Sequence, residues 1–85
     1  MQLIPFSAND QIVTAPGSVE SNCNGITFVN LGASVCTVLS FPLNQNQSLT
    51  IPCNIGEKDV TNYRVQFDSN ADKRLLVIRK NYSTH

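Results

Sequence analysis

Three cysteines, one histidine and two close carboxylate pairs are the residues of this 85-residue chain with the most obvious chemical capacity. Cys23, Cys36 and Cys53 are spaced 13 and 17 residues apart, with no CxxC pair. That spacing fits neither a zinc knuckle nor a thioredoxin-like redox site. His85 would complete four metal-capable side chains on paper, but it is the last residue of the sequence, where chains fray. Three ordinary buried or half-buried thiols are therefore expected, with one disulfide and a spare thiol as the alternative. A catalytic triad or a Cys-His pair would also depend on His85, and Cys36 falls within a β pattern where a thiol is normally inert.

Glu57 and Asp59 flank Lys58 in a glycine-containing loop that could hold calcium weakly. The spacing of an EF-hand is missing, so a solvated loop is the better expectation. Asp68 and Asp72 form a second pair in a turn-rich segment. Lys73, Arg74, Arg79 and Lys80 bracket one hydrophobic run and form the only basic cluster. No aromatic residues interleave with them, so a solvated rim or a salt-bridge partner between subunits is expected rather than a nucleic-acid contact. The glycines are isolated, so no phosphate-binding loop is present. Two glycosylation sequons, at Asn46 and Asn81, carry no weight without a secretion signal. Tyr63 and Tyr82 could stack on sugars, but Tyr63 is expected in the core and Tyr82 near the frayed end. An enzyme is not expected, nor any catalytic, cofactor-binding or metal-binding residue.

The elements that would carry these side chains read as strands almost throughout. Ile26, Phe28 and then Asn30 alternate with Thr27, Val29 and Leu31, and a turn follows at Gly32-Ala33-Ser34. Val35, Thr37 and Leu39 alternate with Cys36, Val38 and Ser40 in a β-branched run suited to a pleated surface. Pro42 cannot donate to a ladder, which places Phe41-Pro42-Leu43 at an edge or a turn. Ser48 to Ile51 reads as a short strand ended by Pro52, and Asn54 to Thr61 as the longest loop. Tyr63, Val65 and Phe67 alternate with Arg64, Gln66 and Asp68 in the cleanest half-buried pattern. Leu75 to Arg79 is apolar on both faces and is expected at the centre of a sheet.

Gln2 to Phe6 and Gln11 to Thr14 are weaker strand candidates joined by Ser7-Ala8-Asn9-Asp10, and Ala15 to Gly25 reads as a loop. About seven short strands with frequent turn signals predict one all-β domain over residues 1–85. Its architecture should be a small antiparallel β-sandwich or a jelly-roll-like barrel. The expected core is Phe28, Val35, Leu39, Ile51, Tyr63, Val65, Phe67, Leu75 and Val77. No helical stripe of apolar residues occurs.

Composition narrows the partners. Lys and Arg number six, Asp and Glu six, so the net charge is zero and charged residues are only 14% of the chain. A neutral chain cannot supply the many phosphate contacts of non-specific nucleic-acid binding. Its aliphatic runs are far shorter than the roughly 20 residues that span a bilayer as a helix. Hence neither nucleic acid nor membrane is an expected partner. A positively charged, apolar leader is not visible at the N-terminus, so the chain is expected to be made and kept in a reducing cytoplasm, or to leave it by lysis. Size scaling gives roughly 63% of the unfolded surface buried, a thin core that a partner subunit would reinforce. All but two of the charged residues lie between Glu57 and Lys80. The first 56 residues show Asn, Gln, Ser and Thr instead, which are less costly to desolvate and suit a surface covered by protein.

Gly25-Ile-Thr-Phe-Val-Asn-Leu-Gly32, Val35 to Phe41 and Gln47-Ser-Leu-Thr-Ile-Pro52 carry a resemblance to a known group. It continues through Asn54-Ile-Gly-Glu-Lys-Asp59, Thr61, Tyr63-Arg-Val-Gln-Phe67 and Leu75-Leu-Val-Ile-Arg-Lys80. Over about residues 25–80 the chain resembles small all-β virion proteins of tailed and other bacteriophages, especially those infecting Bacteroidetes-type hosts. Asn44-Gln45-Asn46 stands where a proline-glycine pair is usual in that group, and the three cysteines are a further departure. The resemblance implies a structural virion component, whether capsid-associated, at a vertex or spike base, or tail-associated. It implies synthesis in the host cytoplasm, homo-oligomeric packing with copies of itself and other virion proteins, and no cofactor. The alternative is a small carbohydrate-binding or protein-interaction β-sandwich module, with the loops Asn22 to Gly25 and Asn44 to Gln47 as a sugar-contacting surface.

Overall fold

The computed structural model describes residues 6–54 and 56–82. Most of the strand expected over residues 2–6, the ring of Tyr82 and His85 lie outside what is described. Eight strands and no helix make up the described residues. They are β1 (Phe6–Val13), β2 (Gly17–Glu20), β3 (Gly25–Asn30), β4 (Cys36–Val38), β5 (Phe41–Leu43), β6 (Ser48–Pro52), β7 (Asn62–Phe67) and β8 (Leu75–Tyr82).

Two antiparallel four-stranded sheets result: sheet I in the order β1-β8-β3-β6 and sheet II in the order β2-β7-β4-β5. The pairs β1 with β8, β2 with β7, β3 with β6 and β4 with β5 are those of one long hairpin folded at the β4–β5 turn. Rolling that hairpin up adds the contacts of β8 with β3 and of β7 with β4, which close each sheet. This is the strand order of a jelly roll, the double-sheet way of limiting exposed edges. The expected sandwich is therefore present, and β8 lies inside sheet I as its apolar faces required.

Three local expectations are corrected. Ser7 to Asp10 is not a linker but part of β1, paired residue by residue with Asn81 to Ile78. The segment 15–25, expected as a loop, contains β2, which buries only Val19 and so shows no alternation of apolar residues. In the β4 region the inward side chains are Cys36 and Val38, both fully buried, not Val35 and Leu39. Val35 is half-buried. Leu39 is 43% exposed, at φ 56 in the two-residue turn between β4 and β5. Such short hairpin turns match strand twist only with positive φ, and the turn therefore sets the face on which β4 buries its side chains.

The core between the sheets combines Phe28, Ile26, Leu75 and Val77 of sheet I with Tyr63, Val65, Val38, Cys36, Leu43 and Val19 of sheet II. Ile51 and Phe67, both expected in the core, are partly buried and pack against it. Phe28 meets Tyr63 edge to face, with ring centroids 5.2 Å apart, at the centre of the interface between sheets. Asn30 is the one fully buried side-chain amide among the described residues. Its Nδ2 donates to the carbonyls of Ser34 and Leu43, and its Oδ1 accepts the Gly32 N–H. Gly32 runs against the β7–β8 connection, where a Cβ would lie 2.2 Å from the Asp72 carbonyl oxygen. Only glycine permits that approach.

Candidate functional site

The sequence candidates for chemistry are dispersed by this fold. Cys23, Cys36 and Cys53 are free thiols, the first two buried. Burial and the neighbouring Asp68 charge push the Cys36 thiol up to about 11, which keeps it protonated and inert. Burial, with the charges of Asp59 and Glu57, also raises Cys53. Among the described residues no three metal-capable side chains come together. The basic cluster also divides. Arg74 pairs with Asp72 at 2.7 Å, with both side chains about half exposed, a contact of small energetic value. Arg79 and Lys80 are neighbours on β8 and so point to opposite faces, Arg79 donating through Nε to the Glu20 carbonyl. The Asn-rich loops flank opposite ends of β3, about 20 Å apart, so they do not make one sugar-contacting surface. Tyr63 is buried and offers no ring face to a ligand.

Asp59 has a role that its pairing with Glu57 did not indicate. It accepts hydrogen bonds from the Tyr63 hydroxyl, the Thr61 N–H and the Ser21 hydroxyl. Its backbone pairs with Cys23, so one carboxylate fastens the β2–β3 connection to the loop before β7. Glu57 instead accepts the Asn54 N–H across the same loop, where Gly56 adopts φ 90. An aspartate two residues before a backbone donor is an Asx-turn pattern, the one signal in the sequence that could have disclosed this.

Burial raises the Tyr63 hydroxyl to about 12, helped by its bond to Asp59. Burial alone would raise Asp59 as well, but the hydrogen bonds from Tyr63, Thr61 and Ser21 outweigh it and lower the carboxyl. The signs are opposite at the two ends of the pH scale. Asp59 stabilises the fold above the ordinary carboxylate range, and its contribution is lost as pH falls below it. Tyr63 stabilises the fold below pH ~10, and its contribution is lost as pH rises toward ~12. Urea denaturation across pH 9–12 is expected to show an alkaline loss that Tyr63→Phe reduces by roughly 2–3 kcal/mol. An unchanged alkaline slope in that variant would contradict the burial and bonding of this hydroxyl.

The larger surface feature is a difference between the outer faces of the two sheets. Residues paired across antiparallel strands share a face. On sheet II the outward residues are Ser18 and Glu20 of β2, Asn62, Arg64 and Gln66 of β7, Thr37 of β4 and Pro42 of β5. That face is polar and suited to water. On sheet I the outward residues form three rows. Asp10, Ile78, Thr27 and Thr50 make the middle row, between Ile12, Leu76, Val29 and Ser48 on one side and Ala8, Lys80, Gly25 and Pro52 on the other. Only Asp10 and Lys80 of these twelve are charged.

Among the described residues no second layer covers this face, although an antiparallel sheet with one solvated face normally turns polar residues outward. Ile12 is 48% exposed, and Leu76, Ile78 and Val29 are half-buried. Gly25, lacking a side chain, opens a depression of about 260 Å³ between Ala8, Ile78, Thr50 and Pro52. The neutral surface expected along residues 1–56 is thus organised by sheet face rather than by chain position. Central strand β8, from the charged third of the chain, supplies its apolar middle.

Compared with protein-family models, curated proteins and solved structures, the chain matches none.

Proposed function

We propose that this protein is a structural component of a bacteriophage virion, capsid-associated, at a vertex or spike base, or tail-associated, acting by packing against protein. The observation that carries this reading is the outer face of sheet I, four strands wide, largely apolar or threonine, with one charge of each sign. Water contact along such a face is unfavourable, while its burial against another protein removes little charge from solvent. The jelly-roll order of the strands is consistent with this use, since that architecture serves capsid proteins as well as lectins and cupins. The resemblance over residues 25–80 points in the same direction. The protein would work without an active site, its thin core reinforced by neighbouring subunits.

A protein-interaction module at an edge is the second reading, and Phe41 favours it. This residue of edge strand β5 is 55% exposed beside an open depression that reaches β6. Strand addition there would bring a partner's backbone to the free side of β5 or β6, although Pro42 leaves one donor missing.

Quantitative mass spectrometry of purified particles from the source of the chain tests the first reading. A fixed copy number per particle, retained through stringent washing, is expected. Absence from particles, together with recovery in a complex with one soluble protein lost in Phe41→Ala, would replace it with the second.

A further inference from the structure

We infer that the outer face of sheet I is a self-complementary surface whose occupant is the same face of a second copy of this chain. The inference rests on the assembly reading above and identifies the surface that would carry it. Its middle, Ile78 with Leu76, Thr27 and Val29, lies on the two central strands β8 and β3, between Asp10 and Ile12 of β1 on one edge and Thr50 and Ser48 of β6 on the other, with the row of Lys80 beyond Ile78 and Thr27. The charges on the face are Asp10 on the edge strand and Lys80 one row away on β8. One negative and one positive charge sum to zero, so two copies of this face meet without net repulsion. A face of single sign would reject its own copy.

Area supports the same occupant. Four strands about 4.8 Å apart, with three rows about 6.8 Å apart, give a patch of about 20 × 20 Å. With side-chain relief this is about 500 Å² per copy, or about 1,000 Å² for a pair, near the lower limit for a specific interface. The contact would be isologous, both copies using the same residues about a two-fold axis. Stacked sheets of this kind keep strand directions within about 30° of one another, about 10 Å apart. A pair of this size is expected to dissociate on dilution, and a larger particle would stabilise it through further contacts.

Sedimentation velocity on the full chain over a wide concentration range tests the inference. The wild type should pass from one to two chains in mass as concentration rises. Ile78→Lys should weaken that association about a hundredfold, because it removes the apolar centre of the contact and leaves each face with a net positive charge that repels its own copy. Thr27→Lys on the neighbouring strand should act in the same direction, while Arg64→Glu on the outer face of sheet II should have no effect. Unchanged circular dichroism would confirm that each variant is folded. A single-chain mass throughout would overturn the inference, and so would a dimer indifferent to both lysine variants. It would likewise fall if removing residues 1–5 dissociated the dimer and Ile78→Lys did not, since the contact would then run through that segment and not through this face. A monomer that is nonetheless found in particles would overturn only the second copy as occupant. A dimer sensitive to Ile78→Lys but absent from particles would support the surface and overturn the virion reading.

Discussion

Phe28→Ala is expected to lower the stability of the fold by about 3–5 kcal/mol. Phe28 is fully buried, and its ring is the contact through which sheet I meets Tyr63 of sheet II. Removing it leaves a cavity at the middle of a sandwich only two side chains thick, where backbone ladders on both sides resist collapse. A chain of this size has a total stability of roughly 4–13 kcal/mol, so the variant should be largely unfolded near 37 °C or lose more than about 12 °C in Tm. Phe67→Ala, which alternation alone would rank equally, should cost less because Phe67 is only partly buried. Thermal melts of the two variants decide the order. An equal or larger loss for Phe67→Ala would contradict the placement of the core.

Asn30→Asp is expected to cost about 3–5 kcal/mol at neutral pH while changing almost nothing in shape. The Asn30 amide nitrogen donates to two buried carbonyls, those of Ser34 and Leu43. Replacing it with oxygen places a buried carboxylate against those carbonyl oxygens and leaves both without a donor. The new carboxyl would hold its proton more tightly in the folded state than in the unfolded one. Stability should therefore recover as pH falls toward ~4, the reverse of the trend that Asp59 imposes on the wild type. Urea denaturation of the variant at several pH values reads this directly. Stability within about 0.5 kcal/mol of wild type at neutral pH would show that the amide bonds do little to fix the β3–β4 and β5 connections.

The legibility of this fold followed the strength of its period-two pattern. Tyr63, Val65 and Phe67 against Arg64 and Gln66 located β7, and the double apolarity of Leu75 to Ile78 placed β8 inside a sheet. Where strands are polar on both faces that signal vanishes. In β1 the side chains of Ser7 to Ile12 are all exposed, and β2 buries only Val19, so backbone pairing with β8 and β7 makes them strands. In the β4 region alternation was visible but its inward face was not, because a positive φ at Leu39 sets that face. The site followed the same division. The thiols were readable as ordinary buried or half-buried groups. Asp59 was visible only as half of a carboxylate pair, because its partners Ser21 and Tyr63 lie 38 residues before it and four after. The apolar face is a product of register. Ile12, Leu76 and Val29 come from three distant segments, and pairing alone aligns them in one row.

The most direct test of an assembly role carried by one face is hydroxyl-radical footprinting of the chain, diluted and then in its native assembly. Ile12, Leu76, Ile78 and Val29 should lose reactivity on assembly while Leu39 and Pro42, on the side of sheet II, keep theirs. Protection confined to sheet II, or equal on both faces, would contradict it.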